Sequence, residues 1–320
     1  MKKWKIWLIV ALCLIILGGG IFVVVLAANG WSFRKFDDSR YETNTYAIQE
    51  GFQNISVDTN TTDVVFLPSM DGECKVVAYE KAKLTHNVSV ADGTLSVRVV
   101  DERKWYDHIS LFNFEEPRLK VYLPQTEYGN LTLENSTGDI NIPKAFTFAN
   151  INIRVDTGDV DCFATVHENI KIAATTGDVE IGGTQAKDVE VTTTTGDISI
   201  SNVVCESLKV NISTGDIELE NVVCNTLASK GSTGDIELEN VLASTSIYIE
   251  RSTGEVSFER MDGGEITITT DTGDVRGSLL SEKIFIVETD TGDKNVPQTT
   301  TGGNCKITTD TGDITIRIAQ

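Results

Sequence analysis

The stretch Ser213-Thr214-Gly215-Asp216-Ile217-Glu218-Leu219-Glu220-Asn221-Val222 decides the fold, because it recurs almost unchanged 19 residues later, over 232–241. Its Thr-Gly-Asp triplet begins at 137, 157, 176, 195, 214, 233, 272, 291 and 311, and Thr253-Gly254-Glu255 is an acidic variant. Successive copies lie 19 or 20 residues apart. Self-similarity at a fixed short period is typical of a solenoid, in which each repeat packs only on its neighbours.

Apolar and polar residues alternate on both sides of each triplet. The second and fourth positions after the glycine are apolar in nearly every copy, as in Ile217 and Leu219, and the exceptions are Lys294 and Gly277. The same alternation precedes the glycine, where Ser229 stands in an otherwise apolar series. A period of two indicates a strand with one buried face, so each unit is predicted to be two strands joined by a turn at Thr-Gly-Asp.

Units of this kind bury their apolar faces only by stacking. The sequence therefore predicts an all-β fold, a parallel β-solenoid with 19–20-residue coils about 4.8 Å apart. A right-handed β-helix is expected, because parallel crossovers are overwhelmingly right-handed. The regular array is predicted over 125–320, after degenerate coils and a capping loop over 49–124. The last strand, ending near Ile318, is expected to be an unpaired edge suited to end-to-end self-association or to docking on a partner.

Stacking would place the aspartates of the turns in one column. Adjacent carboxylates about 4.8 Å apart repel by about 1 kcal/mol in water, so something must offset that repulsion. The expected answer is hydrogen bonds from N–H groups of the turns or from threonine hydroxyls. The alternative is a line of bound Ca²⁺, for which Asp197, Asp216 and Asp235 are the candidate ligands. No other cofactor is expected.

The N-terminus reads as a membrane anchor. Residues 1–5 form a basic tail, and residues 6–28 contain no charged side chain. These 23 residues are enough to span a bilayer as a single transmembrane helix, a signal-anchor. Residues 29–48 are predicted to be a stalk. The expected location is the plasma membrane, single-pass, with the N-terminus cytoplasmic and the C-terminal domain extracellular; the alternative is secretion after cleavage.

One segment, 101–117, departs from the repeat and is rich in aromatic residues. Its aromatic side chains either plug the N-terminal end of the solenoid or form an exposed interaction loop. The candidate interaction residues are Trp105, Tyr106, Phe112 and Phe114.

Charge and cysteine content narrow the function. A net charge of −20 argues against a nucleic-acid partner. Cys205 and Cys224 share one slot in adjacent coils; buried free thiols are expected, and a disulfide between them is left open. No nucleophile motif stands beside any of the three histidines. We therefore predict no catalytic residues and no enzymatic activity.

The chain resembles a bacterial β-strand-repeat family of unknown function whose members are named as candidate adhesins and include LiaG-like membrane proteins. The residues that carry the resemblance are Val121-Tyr122-Leu123-Pro124, Leu131-Thr132-Leu133 and the repeated Thr-Gly-Asp-Ile/Val. It implies a non-catalytic binding, adhesion or envelope-stress module with an unidentified protein or cell-wall glycan partner. The alternatives are a glycan-active β-helix enzyme and a Ca²⁺-dependent adhesin.

Overall fold

A computed structural model describes residues 3–28, 41–81, 83–102 and 117–319. Within these residues the chain forms one helix, α1 (Lys3–Ala28), and 25 strands. Counted over the described residues, no helix is long and apolar enough to cross a membrane. The transmembrane helix expected over 6–28 is not supported by that finding and stays a prediction.

Seven strands precede the regular array and eighteen belong to it. The first group is β1 (Tyr41–Ile48), β2 (Asn54–Thr61), β3 (Asp63–Pro68), β4 (Cys74–Lys81), β5 (Leu84–Ala91), β6 (Thr94–Asp101) and β7 (Arg118–Leu123). The second group is β8 (Glu127–Thr137), β9 (Ile140–Ile142), β10 (Thr147–Thr157), β11 (Val160–Cys162), β12 (Thr165–Thr176), β13 (Val179–Gly182), β14 (Asp188–Thr195), β15 (Ile198–Val204), β16 (Ser207–Thr214), β17 (Ile217–Thr233), β18 (Ile236–Glu239), β19 (Leu242–Thr253), β20 (Val256–Thr272), β21 (Val275–Leu279), β22 (Ile284–Thr291), β23 (Lys294–Asn295), β24 (Asn304–Thr311) and β25 (Ile314–Ile318).

The array is a parallel β-solenoid, as the repeat predicts. Strands that end at a Thr-Gly-Asp turn form face A, and strands that begin after it form face B; β17 and β20 continue through the second turn and contribute to both. Equivalent residues of neighbouring coils pair in parallel, as Ile217 does with Ile236. These two side chains are 1% and 0% exposed. The handedness of the solenoid stays a prediction.

The core is a set of apolar columns between the two faces. Fully burying one Ile, Leu or Val side chain contributes about 1.5–3 kcal/mol, so stacking is what stabilises a unit that could not fold alone. One exception in the alternation has a packing reason. Gly277 leaves room for the ring of Phe258, since a Cβ at this glycine would lie 2.2 Å from a ring carbon.

At the C-terminal end the coils do not stack in chain order. On face A, β24 pairs with both β20 and β22. On face B, β25 pairs with both β21 and β23. The prediction that the last strand is an unpaired edge is therefore wrong, and Ile316 is only 4% exposed. Because β23 has only two residues, segment 296–303 is long enough to connect it to β24, which lies between β20 and β22.

The N-terminal end shows the same exchange. On face A, β2 lies between β6 and β8; on face B, β3 lies between β7 and β9. Antiparallel strands then finish this end: β4 pairs with β7, β1 with β4, and β5 with β6. A turn at Asp92-Gly93 joins β5 to β6, and both of its residues have positive φ. Residues 41–48, in the segment predicted as a stalk, form β1.

Candidate binding surface

The Thr-Gly-Asp turns bring neighbouring coils into close contact. Gly215 has a φ of 139°, and a Cβ at this position would lie 2.2 Å from the carbonyl oxygen of Gly196 in the preceding coil. The glycine is therefore required both for its backbone conformation and for the close approach of the next turn.

The aspartates form a hydrogen-bonded ladder along these turns. The backbone N–H of Asp216 donates to Oδ1 of Asp197 at 2.8 Å, and that of Asp235 donates to Oδ1 of Asp216 at 2.7 Å. The ladder begins at Asp63, which accepts from the N–H of Asp139, and its first run continues to the N–H of Glu255. Within the described residues no such bond joins Glu255 to Asp274. A second run starts at Asp274, which accepts from the N–H of Asp313, and ends at Asp293, which donates its N–H to Asp313. This confirms the expected offset: each carboxylate that accepts such a bond gains a charge-assisted hydrogen bond against the repulsion of its neighbours.

Ca²⁺ was the alternative for this column. Asp197, Asp216 and Asp235 are exposed and one coil apart, and one oxygen of each carboxylate already accepts a backbone N–H. No group of three or more His, Cys, Asp or Glu side chains in the described part of the chain is placed to hold a metal ion.

A second ladder lies at the other turn. Asn202, Asn221 and Asn240 have positive φ, which asparagine tolerates better than most residues. Their amides bond from coil to coil, with Nδ2–Oδ1 distances of 3.3 and 3.2 Å. Arg260 has the same backbone conformation and donates to Asn240 at 3.0 Å. The repeated asparagine thus forms a ladder at the second turn, and an arginine extends it.

A groove of about 350 Å³ runs along the solenoid axis on the outer side of face B. Its lining residues lie on β18, β20, β21 and β25. Glu237, Glu239 and Glu259 line its acidic end, and Arg276 and Arg317 line its basic end. All five residues are exposed, so the groove presents both signs of charge to solvent.

Two departures from the repeat create this groove. Arg276 occupies an outward position that holds Glu218 and Glu237 in earlier coils. Its guanidinium bonds to Glu255 at 2.8 Å and to Asp274 at 3.1 Å. The second departure is the insertion of β25 beside β21, which brings Arg317 to within 3.9 Å of Glu259. Stacking in chain order would have placed the short strand β23 there instead.

The interior holds an arginine that forms no ion pair with any described residue. Arg251 is 1% exposed; its Nη2 lies 3.4 Å from Ser229 Oγ, and its Nε and Nη1 have no hydrogen-bond partner among the residues that the structure describes. Nη1 would lie 1.5 Å from a Cβ at Gly231. Burial lowers the pKa of Arg251 to about 10, while the charges of Asp216 and Asp235 act in the opposite direction. Ser229 and Gly231 thus depart from the repeat because they accommodate this side chain.

A buried polar network lies under the N-terminal strands. Oε2 of Glu80 accepts from the backbone N–H of His86 at 2.7 Å. Its Oε1 accepts from the side-chain amide of Asn44 at 2.7 Å and from the Tyr46 hydroxyl at 3.3 Å. Nδ1 of His86 is 2.6 Å from Glu80, and Nε2 is 3.0 Å from the hydroxyl of Thr59. Burial alone would raise the pKa of Glu80, but its hydrogen bonds with His86 and Asn44 outweigh burial and lower it.

Cys205 and Cys224 occupy equivalent positions in adjacent coils, and both are buried free thiols. A hydrogen bond with Cys224 raises the pKa of Cys205, and burial adds to the increase. Both effects keep the Cys205 thiol protonated at neutral pH.

The interaction residues predicted from the sequence differ from the residues that line the groove. The candidate loop residues Trp105, Tyr106, Phe112 and Phe114 lie outside the described residues. The groove residues were not predicted. A signal for them did exist, since Gly277 breaks the alternation and Arg276, at the adjacent position, is the one basic residue in an outward column that is otherwise acidic or neutral.

Comparison with known protein families identifies the family of this chain. The Toastrack family model, DUF4097, matches residues 52–226 and 221–320. The chain belongs to the Toastrack family. The narrower resemblance to LiaG-like membrane proteins stays a prediction, and no curated protein matches the sequence.

Several solved structures are similar to this Toastrack chain. A "putative adhesin" from Parabacteroides distasonis is 14% identical, with a TM-score of 0.48, over 85% of this chain and 98% of the other. A "putative adhesin" from Bacteroides fragilis is 15% identical, with a TM-score of 0.41, over 88% and 99%. A "putative lipid binding protein" from P. distasonis is 12% identical, with a TM-score of 0.41, over 88% and 98%.

Proposed function

We propose that this Toastrack protein is a non-catalytic binding module, anchored in the plasma membrane by α1 and displayed outside the cytoplasm. The groove on face B is its binding site. The observation that carries the proposal is the placement of three carboxylates and two guanidiniums along one exposed groove, at the point where the repeat changes.

The groove suits an extended ligand that carries both charges. Glu237 on β18 and Arg276 on β21 are two strands apart, so their backbones are separated by about 10 Å, whereas Glu259 and Arg317 approach to 3.9 Å where the acidic and basic ends meet. An ammonium group would bind at the acidic end, and a carboxylate would bind at the arginines, whose planar donors match it. Peptide-bearing cell-wall polymers and protein segments both offer such paired groups.

The sequence of α1 supports anchoring. Its 26 residues would extend about 39 Å as a helix, and a bilayer core is about 30 Å thick. Residues 6–28 contain no charged side chain, and Lys2, Lys3 and Lys5 precede them. Lysines on that side favour a cytoplasmic N-terminus and an external solenoid.

Burial of the one triad-like arrangement supports a non-catalytic role. Among the described residues, Thr59, His86 and Glu80 have the order of contacts found in hydrolytic triads. Their exposed fractions are 2%, 5% and 1%, so a substrate could not reach the hydroxyl. The network instead holds strands β1, β2, β4 and β5 together.

The test is sedimentation of the full-length protein in detergent with purified peptidoglycan, compared with glycan strands from which the stem peptides have been removed. We expect binding to peptidoglycan, and at least a tenfold loss of affinity in the double variant Arg276→Glu/Arg317→Glu. The matched control is Lys144→Glu/Lys306→Glu, which makes the same charge change at exposed positions away from the groove. Equal binding by both double variants would contradict the groove proposal.

A further inference from the structure

The C-terminal end of the solenoid has an open sheet edge. Within the described residues, β22 pairs on one side only, with β24, and β23 pairs on one side only, with β25. This edge exists because the last coil is inserted inward, which leaves the preceding coil outermost. An edge strand offers unpaired backbone groups to any extended chain beside it.

The edge strand exposes apolar side chains on both of its sides. Ile284 and Ile286 point outward and are 40% and 53% exposed. Phe285 and Val287 point inward but are only partly buried. Their partners in the next coil, Cys305 and Ile307, are both fully buried. The outermost coil therefore lacks the cover that every inner coil receives from its neighbour.

The charged side chains in the outward column of β22 are all negative, and the exposed cation Lys306 lies beside Ile286 on the inner side, on β24. The outward column reads Glu282, Ile284, Ile286, Glu288 and Asp290, and each of these residues is exposed. Lys283 does not balance them, because its ammonium group is buried against Asp262 at 2.6 Å. An incoming strand with the complementary column would carry a cation, two apolar residues and two further cations at alternate positions.

The same column disfavours a second copy of this chain. An antiparallel pair of β22 strands centred on Phe285 would set Ile284 against Ile286, but it would also set Glu282 against Glu288 twice. Like charges directly opposite each other destabilise a strand pair. The charge pattern therefore selects a cationic partner over self-association.

We propose that the β22 edge is a docking site for an extended segment of a partner protein with apolar residues at its centre and basic residues on both sides. The segment would add to face A as a further strand, with affinity from main-chain hydrogen bonds and specificity from alternate side chains. This surface is separate from the groove on face B, so each can fail without the other.

The probe is the peptide Lys-Thr-Ile-Thr-Ile-Thr-Lys-Thr-Lys, fluorescently labelled and titrated with the full-length protein in detergent. We expect saturable binding that is weakened at least tenfold when the lysines of the peptide are replaced by glutamates. Two N-methylated versions of the peptide carry the methyl groups at the odd or at the even positions, which are the two phases of the strand. We expect binding to be abolished in one phase only, because only one set of N–H groups faces β22. Loss in both phases or in neither would overturn strand addition.

The charge swap gives the sharpest test. In Glu288→Lys/Asp290→Lys the preference should invert, so that the glutamate peptide binds more tightly than the lysine peptide. The control Asp156→Lys/Glu180→Lys makes the same charge change at exposed positions inside the array and should keep the original preference. All variants are compared by thermal unfolding, since these side chains are exposed and the fold should persist. An unchanged preference in the swap, or a dimer that excludes the peptide in sedimentation, would overturn the proposal.

Discussion

The two ends of this solenoid are built from the same repeat chemistry and finish differently. At the N-terminal end, antiparallel strands β1, β4 and β5 cover the outermost coil, and the outward residues of β5 include Asn87 and Ser89. At the C-terminal end the outermost strand is a parallel copy of its neighbour and exposes Ile284 and Ile286. A repeat cannot terminate its own stack, because each copy offers the surface that the next copy needs. Closure requires residues outside the repeat.

The largest expected effect is the loss of unfolding free energy when the buried network at Glu80, at the N-terminal end, is broken. Glu80→Ala removes the acceptor for His86 and Asn44 and leaves several buried donors unsatisfied, which should cost about 3 kcal/mol of unfolding free energy. At the open end, Val287→Ala removes a partly buried side chain and should cost about 1 kcal/mol. Urea unfolding measures both. Equal costs would mean that the N-terminal end is no better closed than the C-terminal end.

The same network predicts a dependence on pH. The folded-state pKa of Glu80 is lowered from its ordinary value of 4.5, so its contribution is present above that value and is lost as pH falls through the lowered pKa. The urea midpoint of the natural protein should therefore fall more steeply below about pH 4.5 than that of Glu80→Gln. Parallel acid profiles for the two proteins would show that Glu80 does not supply this stability.

The contact between Gly231 and Arg251, in the middle of the array, provides a reference that depends on neither end. Gly231→Ala would force Nη1 of Arg251 out of its place and should cost about 2 kcal/mol, as overpacking typically does. In an Arg251→Ala background the same change should cost at least 1 kcal/mol less, because the two residues share one space. A double-mutant cycle by urea unfolding measures this coupling, and additive costs would contradict the contact.

The smallest expected effect compares identical substitutions at the two ends of the aspartate ladder. Asp63→Ala orphans the N–H of Asp139 and should cost about 1 kcal/mol. Asp293→Ala should cost close to nothing, because within the described residues its carboxylate accepts no ladder bond. Asp63→Asn keeps an acceptor oxygen without the charge and serves as the control. A cost for Asp293→Ala equal to that for Asp63→Ala would show that the ladder does not end at Asp293.

Much of the fold could be predicted from the sequence because the columns repeat. Ile217 and Ile236 are paired and buried as expected, and the aspartates bond along their column as expected. The asparagines, which repeat at the same period, also bond along their column. The order of the terminal coils could not be predicted, because near-identical coils offer near-identical surfaces. The groove was missed for the same reason, since Arg317 reaches Glu259 only through the exchanged order.

The changed stacking order of the last coils is reflected in the sequence. The strand after the turn at Gly292 is interrupted, with Lys294 at a position that is otherwise apolar, and Pro297 and two glycines follow before the next strand. These residues form the connection that returns the chain beneath β22. Their spacing stays within the regular period, so the period alone does not distinguish this coil from the others.

Both proposed binding surfaces depend on the insertion of the last coil, and paired cysteines test it most directly. Thr267 and Lys306 are direct partners across β20 and β24, as are Ile286 and Lys306 across β22 and β24. Neighbouring strands lie within disulfide range, whereas strands two apart are separated by about 10 Å. Mild oxidation followed by peptide mass spectrometry should find a link in Thr267→Cys/Lys306→Cys and in Ile286→Cys/Lys306→Cys, and none in Thr267→Cys/Ile286→Cys. A link between positions 267 and 286, with none between 267 and 306, would show that the coils stack in chain order and would contradict the account.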